Sequence, residues 1–166
     1  MSSMTEALAG RTVLVPRGGA WGERVARLLA DRGAVPVIAP LIETKPPRDL
    51  EARDRFFADL AAGTYDWVFI TSAAAVEHLR AAGIEIPAAT RVAAVGRATA
   101  RAVVDAGFEV DFVPAGRSSA LALTQQWCSA HEPARVGRCL VLRSDLAMAV
   151  VSDELEVRGY DVEVCI

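Results

Sequence analysis

Short runs of apolar residues alternate along the chain with longer segments in which apolar residues recur at helical spacing. The apolar runs predict strands at 12–16, 35–39, 67–70, 92–95, 110–113 and 139–142, and a last strand beginning near residue 160. The periodic segments predict amphipathic helices at 23–31, 50–62, 73–82, 97–106, 118–130 and 146–158. Because a helix separates most successive strands, the pattern predicts an α/β fold with parallel strands.

The opening strand–helix–strand unit is too small to have a core of its own. The segment that follows it is extended and punctuated by prolines, which is typical of a linker or an edge strand. We expect a first half-domain at 1–39, a linker at 40–47, a complete α/β domain at 48–161 and the start of a return linker at 162–166. The isolated opening unit and the apolar strand that runs into Ile166 predict that the chain is part of a longer protein.

Composition excludes several function classes. Of the 166 residues, 52% are hydrophobic and the net charge is −3, so a packed core is expected and a general attraction to nucleic acid or anionic membranes is not. No apolar run approaches the roughly 20 residues of a membrane helix, and no signal peptide is recognisable. Three cysteines without C-x-x-C spacing and two distant histidines predict reduced thiols, no metal site and a cytoplasmic protein.

Two turns carry the candidate chemistry. Thr71 and Ser72 follow strand 67–70, and Gly96-Arg97-Ala98-Thr99 follows strand 92–95. In a parallel sheet such turns lie at the carboxyl edge, where open α/β sheets bind ligands and where helix N-termini favour anions. Each turn also has a purely structural interpretation, in which Ser72 and Thr99 cap helices and Arg97 is solvated. The sequence leaves both interpretations open.

Two further polar segments follow the same logic. Arg143 follows strand 139–142 and is expected at the same edge, with Ser144 or Asp145 capping the next helix. Ser118-Ser119 opens another helix and is most simply interpreted as a cap.

A nucleotide-binding function is disfavoured. In the glycine-rich run 17–22, Arg17 occupies the first glycine position of a dinucleotide fingerprint, and Ala39-Pro40 stands where an acidic residue is required. A phosphate-accepting receiver domain needs acidic residues after the first strand, where Pro16 and Arg17 stand. Two histidines also give no recognisable Ser-His-Asp or Cys-His set.

The order and spacing of these segments resemble the uroporphyrinogen-III synthase family. Thr71 and Ser72 lie in a stretch that resembles its "F-T-S-x-x-x-V" turn, and 94–100 resembles "A-V-G-x-x-T-A". The remaining matches are Val13-Leu14-Val15-Pro16-Arg17, Pro40-Leu41-Ile42, Val113-Pro114, Leu140-Val141-Leu142-Arg143 and the segment 155–162.

The resemblance implies two flavodoxin-like parallel-sheet domains joined by a two-stranded linker, with the active site between them and the first domain incomplete in this chain. It also implies a reaction without a cofactor, the closure of hydroxymethylbilane to uroporphyrinogen III with inversion of ring D, in tetrapyrrole and haem biosynthesis. The family's tyrosine on the returning linker strand is expected beyond Ile166. No catalytic residue is therefore assigned, and poor turnover is expected of the chain as it stands.

By motif match, the resemblance implies that Thr71, Ser72, Gly96 and Thr99 bind substrate, and Arg17 and Arg143 are added as candidates. The expected partner is a linear tetrapyrrole, with no nucleic acid, membrane or metal, and the full-length protein is expected to be a monomer. The alternative is a non-catalytic ligand-binding or regulatory module on the same scaffold.

Overall fold

The computed structural model of the protein describes residues 7–41, 45, 47 and 49–166. Contacts within the chain divide it into two compact units, which we call the small unit (Met1–Lys45) and the large unit (Pro46–Ile166). Residues 42–44 and 46 of the predicted linker lie outside the described residues. The division into domains that the sequence predicts therefore stays a prediction.

The small unit is a strand–helix–strand motif. Strands β1 (Thr12–Val15) and β2 (Val35–Ile38) pair in parallel, with Thr12 opposite Val35, and helix α1 (Gly19–Ala30) connects them. The helix begins four residues earlier than predicted, because residues of the glycine-rich run 17–22 form its first turn. A Cβ at Gly22 would overlap the Arg17 carbonyl oxygen, so this tight start requires glycine there.

The large unit contains a parallel sheet in the strand order β4-β3-β5-β6. Its strands are β3 (Trp67–Ile70), β4 (Arg91–Ala94), β5 (Cys139–Leu142) and β6 (Val162–Cys165). Its helices are α2 (Leu50–Ala61), α3 (Ala73–Ala81), α4 (Arg97–Asp105), α5 (Ala120–Ala130) and α6 (Val150–Val157). Numbered within the unit, the strands stand in the order 2-1-3-4, as in flavodoxin-like sheets. The predicted α/β class with parallel strands is confirmed.

One predicted strand differs from the structure. Residues 110–113 form a single parallel bridge, between Phe112 and Ala93, rather than a strand. The amide of Val92 donates to the Asp111 side chain at 2.8 Å, and Pro114 has no N–H, so the ladder does not extend. The start of the predicted return linker, at 162–166, contains strand β6, which pairs along β5 at the edge of the sheet.

The core lies on both faces of this sheet. All residues of β3 and β5 are buried, as expected when helices cover both sides of parallel strands. Val68 and Ile70 pack with Leu60 and Leu79 on one face. On the other face Trp67 and Phe69 pack with Trp127, whose ring meets Phe69 edge-on at 4.9 Å between centroids. Within the part of the chain that the structure describes, no helix is both long enough and apolar enough to cross a membrane.

Candidate functional site at the carboxyl edge

The strand order creates a topological switch point beside β3. The chain runs from β3 to β4 on one side, and then crosses through α4 and α5 to β5 on the other side. Open α/β sheets bind ligands outside the carboxyl ends of the strands at such a point. Here the carboxyl ends of β3 and β5 are followed by Thr71 and Arg143.

Backbone hydrogen bonds join the turns that follow the strands. The amide of Val95 donates to the Ile70 carbonyl oxygen at 3.1 Å, and the amide of Thr71 donates to the Leu142 carbonyl oxygen at 3.3 Å. The amide of Arg143 donates to the Cys165 carbonyl oxygen at 3.1 Å. The structure thus places the predicted residues of the large unit along one edge, which we call the carboxyl rim (residues 71–72, 96–99 and 143).

Thr71 holds the switch point together. Its hydroxyl donates to the Leu142 carbonyl oxygen at 2.9 Å, beside the bond from its own amide to the same carbonyl. The hydroxyl proton is therefore already used within the protein, and the oxygen can act only as an acceptor toward a ligand. Thr71 therefore fixes the position of the rim, and its hydroxyl proton is not free to donate to an anion.

Ser72 is the N-cap of α3. Its hydroxyl oxygen accepts a hydrogen bond from the Ala75 amide at 3.2 Å, so the structural interpretation of this residue is correct. A hydroxyl that accepts can still donate its proton, and the first amides of a helix have no acceptor within the helix. Capping and anion binding are therefore compatible at Ser72.

Gly96 starts α4 with an extended backbone and no side-chain cap. A Cβ on Gly96 would overlap the Oγ and Cβ of Ser118, which precedes α5. Glycine is required here because the Ser118 side chain packs directly against residue 96. Thr99 lies in the first turn of α4 and is only 6% exposed, so it is not the cap of this helix.

Arg143 turns toward its own loop. One terminal nitrogen donates to the Ala147 carbonyl at 2.9 Å and to the Ser144 carbonyl at 3.2 Å. Its buried Nε has no hydrogen-bond partner among the described residues. The helix predicted from 146 begins instead at Val150, and Ala149 occupies the N-cap, so the expectation that Ser144 or Asp145 caps it is wrong.

Arg17 lies in the small unit, directly after Pro16 at the carboxyl end of β1. Its guanidinium carbon is 5.6 Å from the centroid of the Trp21 ring, a cation–π contact. The carboxyl rim of the large unit is built without this residue.

The electrostatics of the rim favour anions. Helices α3, α4 and α5 have no acidic residue in their first turns, whereas α2 and α6 have Glu51 and Asp153. The positive ends of these three helix dipoles are therefore not neutralised by local carboxylates. Arg97 adds a full charge in the first turn of α4.

The cysteine thiols are poor candidates for nucleophiles. Cys165 ends β6, and burial raises its pKa to about 11, while burial raises the pKa of Cys139 to about 12. Both are neutral near pH 7, whereas the thiolate is the reactive form. Among the residues that the structure describes, no group of three or more His, Cys, Asp or Glu side chains is arranged to hold a metal ion.

A cavity of 420 Å³ lies at the opposite, amino edge of the sheet, lined in part by Asp66, Arg91 and His131. Its mouth carries an exposed ion pair between Arg135 and Glu132 at 3.0 Å, and the Asp66 carboxylate accepts from the Gly137 amide at 2.6 Å. These charges are matched within the protein, and helix C-termini rather than N-termini point to this edge. The carboxyl rim is the better candidate for an anionic ligand.

The sequence analysis missed Ser118, which it treated with Ser119 as one cap. In the structure Ser119 caps α5, accepting from the Ala122 amide at 3.1 Å, and Ser118 packs on Gly96. Two serines before one helix were the available signal, since a helix has a single N-cap position.

Comparison with known proteins gives the family. Residues 23–166 match the family model described as uroporphyrinogen-III synthase HemD. No curated protein sequence matches the chain.

Two solved structures share the fold. A mutant uroporphyrinogen III synthase from the extremely thermophilic bacterium Thermus thermophilus is 23% identical with a TM-score of 0.66, over 95% of this chain and 61% of that one. The wild-type enzyme from the same bacterium is 24% identical with a TM-score of 0.57, over 94% and 60%. The chain thus spans about three fifths of the length of these proteins. Since the family model matches most of its residues, the chain belongs to the uroporphyrinogen-III synthase family.

Proposed function

We propose that this chain provides the substrate-binding α/β domain of a uroporphyrinogen-III synthase. The proposed reaction closes the linear tetrapyrrole hydroxymethylbilane, with loss of water and inversion of ring D, and needs no cofactor. Family membership supports the proposal, and the observation that carries it is the carboxyl rim, with helix N-termini free of first-turn carboxylates at a topological switch point.

The rim suits a ligand with many carboxylates. Hydroxymethylbilane carries acetate and propionate groups along a flexible chain of pyrroles. A favourable contact with a helix N-terminus contributes about 0.3–1 kcal/mol, so a single turn cannot hold such a ligand. Binding is instead distributed over the starts of α3, α4 and α5, each fixing a different carboxylate.

Such binding also serves the chemistry. Ring closure requires the two ends of a flexible molecule to meet, and holding reacting groups together can supply about 7–11 kcal/mol of a barrier. The rim contributes by keeping the substrate curled, while the Thr71 contact to Leu142 keeps the turns in register. The acid that assists departure of the hydroxyl is proposed to be the family tyrosine, outside this chain.

The product ratio tests the proposal. The full-length protein is mixed with hydroxymethylbilane, and the type III and type I isomers of uroporphyrinogen are separated after oxidation. Excess type III product is expected, because type I is the isomer that forms spontaneously. Type I product alone would contradict the enzymatic proposal. Type I product together with tight binding of the substrate would favour a non-catalytic module.

A further inference from the structure

We propose that Ser118 binds one substrate carboxylate, together with the N-terminus of α4, in a crevice formed by Gly96, Thr99 and Ser118, which we call the Gly96 crevice. The inference rests on the proposed function, because it assumes a ligand with carboxylates. It adds a residue that neither the family motifs nor the helix caps assign.

The first support is the contact between Gly96 and Ser118. The Ser118 side chain occupies the space that a Cβ of residue 96 would need. The Ser118 hydroxyl therefore lies directly against the start of α4. The first amides of the helix, those of residues 97–99, follow directly on Gly96 and have no acceptor within the helix.

The second support is that Ser118 has no capping role. Ser119 caps α5 through the Ala122 amide, while Ser118 is exposed and its hydroxyl bonds to none of the described residues. No side chain caps α4. The hydroxyl and the start of α4 are thus both available to the same ligand.

The third support comes from the floor of the crevice. Thr99 is 6% exposed, and no described residue forms a hydrogen bond with its hydroxyl. Because Cα–Cβ bonds in a helix tilt toward its N-terminus, this side chain points toward the Gly96 turn. Its oxygen is still accessible to solvent, so a ligand oxygen in the crevice can replace water as its hydrogen-bond partner.

The charge of the crevice fits a carboxylate. Arg97 and Arg117 flank it in the sequence, and neither α4 nor α5 has an acidic residue in its first turn. A carboxylate has acceptor capacity for several donors at once, which matches the hydroxyls of Ser118 and Thr99 and the α4 amides.

The test compares a serine in the crevice with a serine distant from the rim, both in the full-length protein. Ser118→Ala is expected to weaken binding of uroporphyrin III, measured by quenching of its fluorescence, by about tenfold or more, since a hydrogen bond to a charged group is lost. The thermal unfolding midpoint should be unchanged. Ser129→Ala is the matched control, because that hydroxyl donates to the Gln126 carbonyl at 2.7 Å near the C-terminal end of α5, away from the rim, so the affinity should stay within about twofold.

A second pair of variants tests the geometry. Gly96→Ala should weaken binding because its Cβ displaces the Ser118 side chain. Adding Ser118→Gly should remove that collision and restore the unfolding midpoint without restoring the affinity. Restored affinity in the double variant would show that the Ser118 hydroxyl is unimportant, and would overturn the inference.

The two proposals fail in different ways. If the parent protein makes type III product and Ser118→Ala has the parental KM and affinity, only the role of Ser118 is overturned. If the parent makes type I product alone but binds uroporphyrin III, weaker binding by Ser118→Ala still supports the crevice. A parent protein that binds no uroporphyrin III would overturn the inference directly.

Discussion

Hydroxyl groups at the carboxyl rim divide into those already bonded within the protein and those that are available. The Thr71 hydroxyl donates to the Leu142 carbonyl, and the Ser72 hydroxyl accepts from the Ala75 amide. Each hydroxyl therefore already forms one hydrogen bond with the main chain. Thr99 is buried and has no hydrogen-bond partner among the described residues. At the scale of single residues, the variants that remove available hydroxyls are therefore the informative ones.

Replacing Thr99 with valine should weaken substrate binding without unfolding the protein. The change keeps the shape of the side chain and removes only its hydroxyl, so KM should rise about tenfold while the unfolding midpoint stays nearly constant. Steady-state kinetics and thermal unfolding of the full-length protein measure both. Thr124→Val is the control, because that buried hydroxyl bonds to the Ala120 carbonyl at 3.0 Å inside α5, away from the rim. Unchanged kinetics in Thr99→Val would assign Thr99 to packing.

At Ser72, two substitutions separate capping from binding. Ser72→Ala should destabilise the protein by about 1 kcal/mol and weaken activity, whereas Ser72→Gly should cost only a few tenths because glycine is tolerated at N-caps. Both variants lose the hydroxyl, so both should show the same rise in KM if Ser72 binds substrate. Chemical denaturation and kinetics are the measurements. A loss of activity in Ser72→Ala that Ser72→Gly does not share would make Ser72 a cap alone.

Secondary-structure elements of the large unit are joined at the amino edge by a partly buried polar cluster. The Tyr65 hydroxyl donates to Glu163 of β6, and Arg138 pairs with the same carboxylate while lying 5.5 Å from the centroid of the Tyr65 ring. These contacts connect the residues that precede β3 and β5 to the edge strand. The cluster therefore holds β6, the outermost strand, to the rest of the sheet.

The stability that Tyr65 contributes should be lost progressively as the pH rises above about 10, the ordinary tyrosine pKa. Burial first, and then the hydrogen bond to Glu163, raise the pKa of Tyr65 in the folded protein. Above that pH the unfolded chain loses the proton and the folded protein keeps it, so unfolding becomes more favourable. Urea denaturation at several values between about pH 8 and pH 11, which bracket the ordinary tyrosine pKa, measures the loss.

Tyr65→Phe is the matched variant for this alkaline loss. Its stability should be lower at neutral pH, since a hydrogen bond to a partly buried carboxylate is gone, and should depend less on pH above about 10. Some alkaline loss should persist and should begin above about pH 8.5, the ordinary cysteine pKa, because burial also raises the pKa of Cys139 to about 12, that of Cys165 to about 11 and that of Tyr160 to about 12. An equally steep decline in Tyr65→Phe and the parent would exclude Tyr65 as its source.

Over the whole molecule, the two units differ in how much apolar surface they leave exposed. In the small unit, Leu14 is 54% exposed and Val35 is 55% exposed, although both lie in strands. Two-stranded sheets of this size are marginal in water. The large unit, by contrast, has buried clusters on both faces of its sheet. These differences support the proposal that residues 1–39 are part of a larger domain and that residues 48–161 form a complete one.

Expressing the units separately tests this division. A protein of residues 46–166 should unfold cooperatively, with a helical far-ultraviolet spectrum, whereas a peptide of residues 1–45 should be largely unfolded. The reason is that only the large unit buries a core of its own. The full 166-residue chain is the reference for the midpoint. A well-folded 1–45 peptide, or an unfolded 46–166 protein, would contradict the division.

Local sequence patterns were sufficient to predict the α/β class, the order of most elements and the turns that follow β3 and β4. These features depend on local periodicity and on the small residues that a strand-to-helix turn needs. Both signals come from residues that are close together in the sequence. The prediction of a strand at 110–113 was wrong. There the Asp111 carboxylate accepts the hydrogen bond of the Val92 amide, and only a single bridge forms. The sequence analysis also missed the late start of α6, where the Arg143 side chain holds the preceding loop.

Long-range packing, by contrast, determines which residues share the rim and in which direction their side chains point. Gly96 and Ser118 are far apart in the sequence, and their contact exists because the segment leading into α5 passes the start of α4. Arg143 follows its strand as predicted, but packing directs its guanidinium to the Ala147 carbonyl rather than outward. Periodicity determines which element a residue joins, whereas the direction and availability of its polar atoms depend on distant segments packed against it.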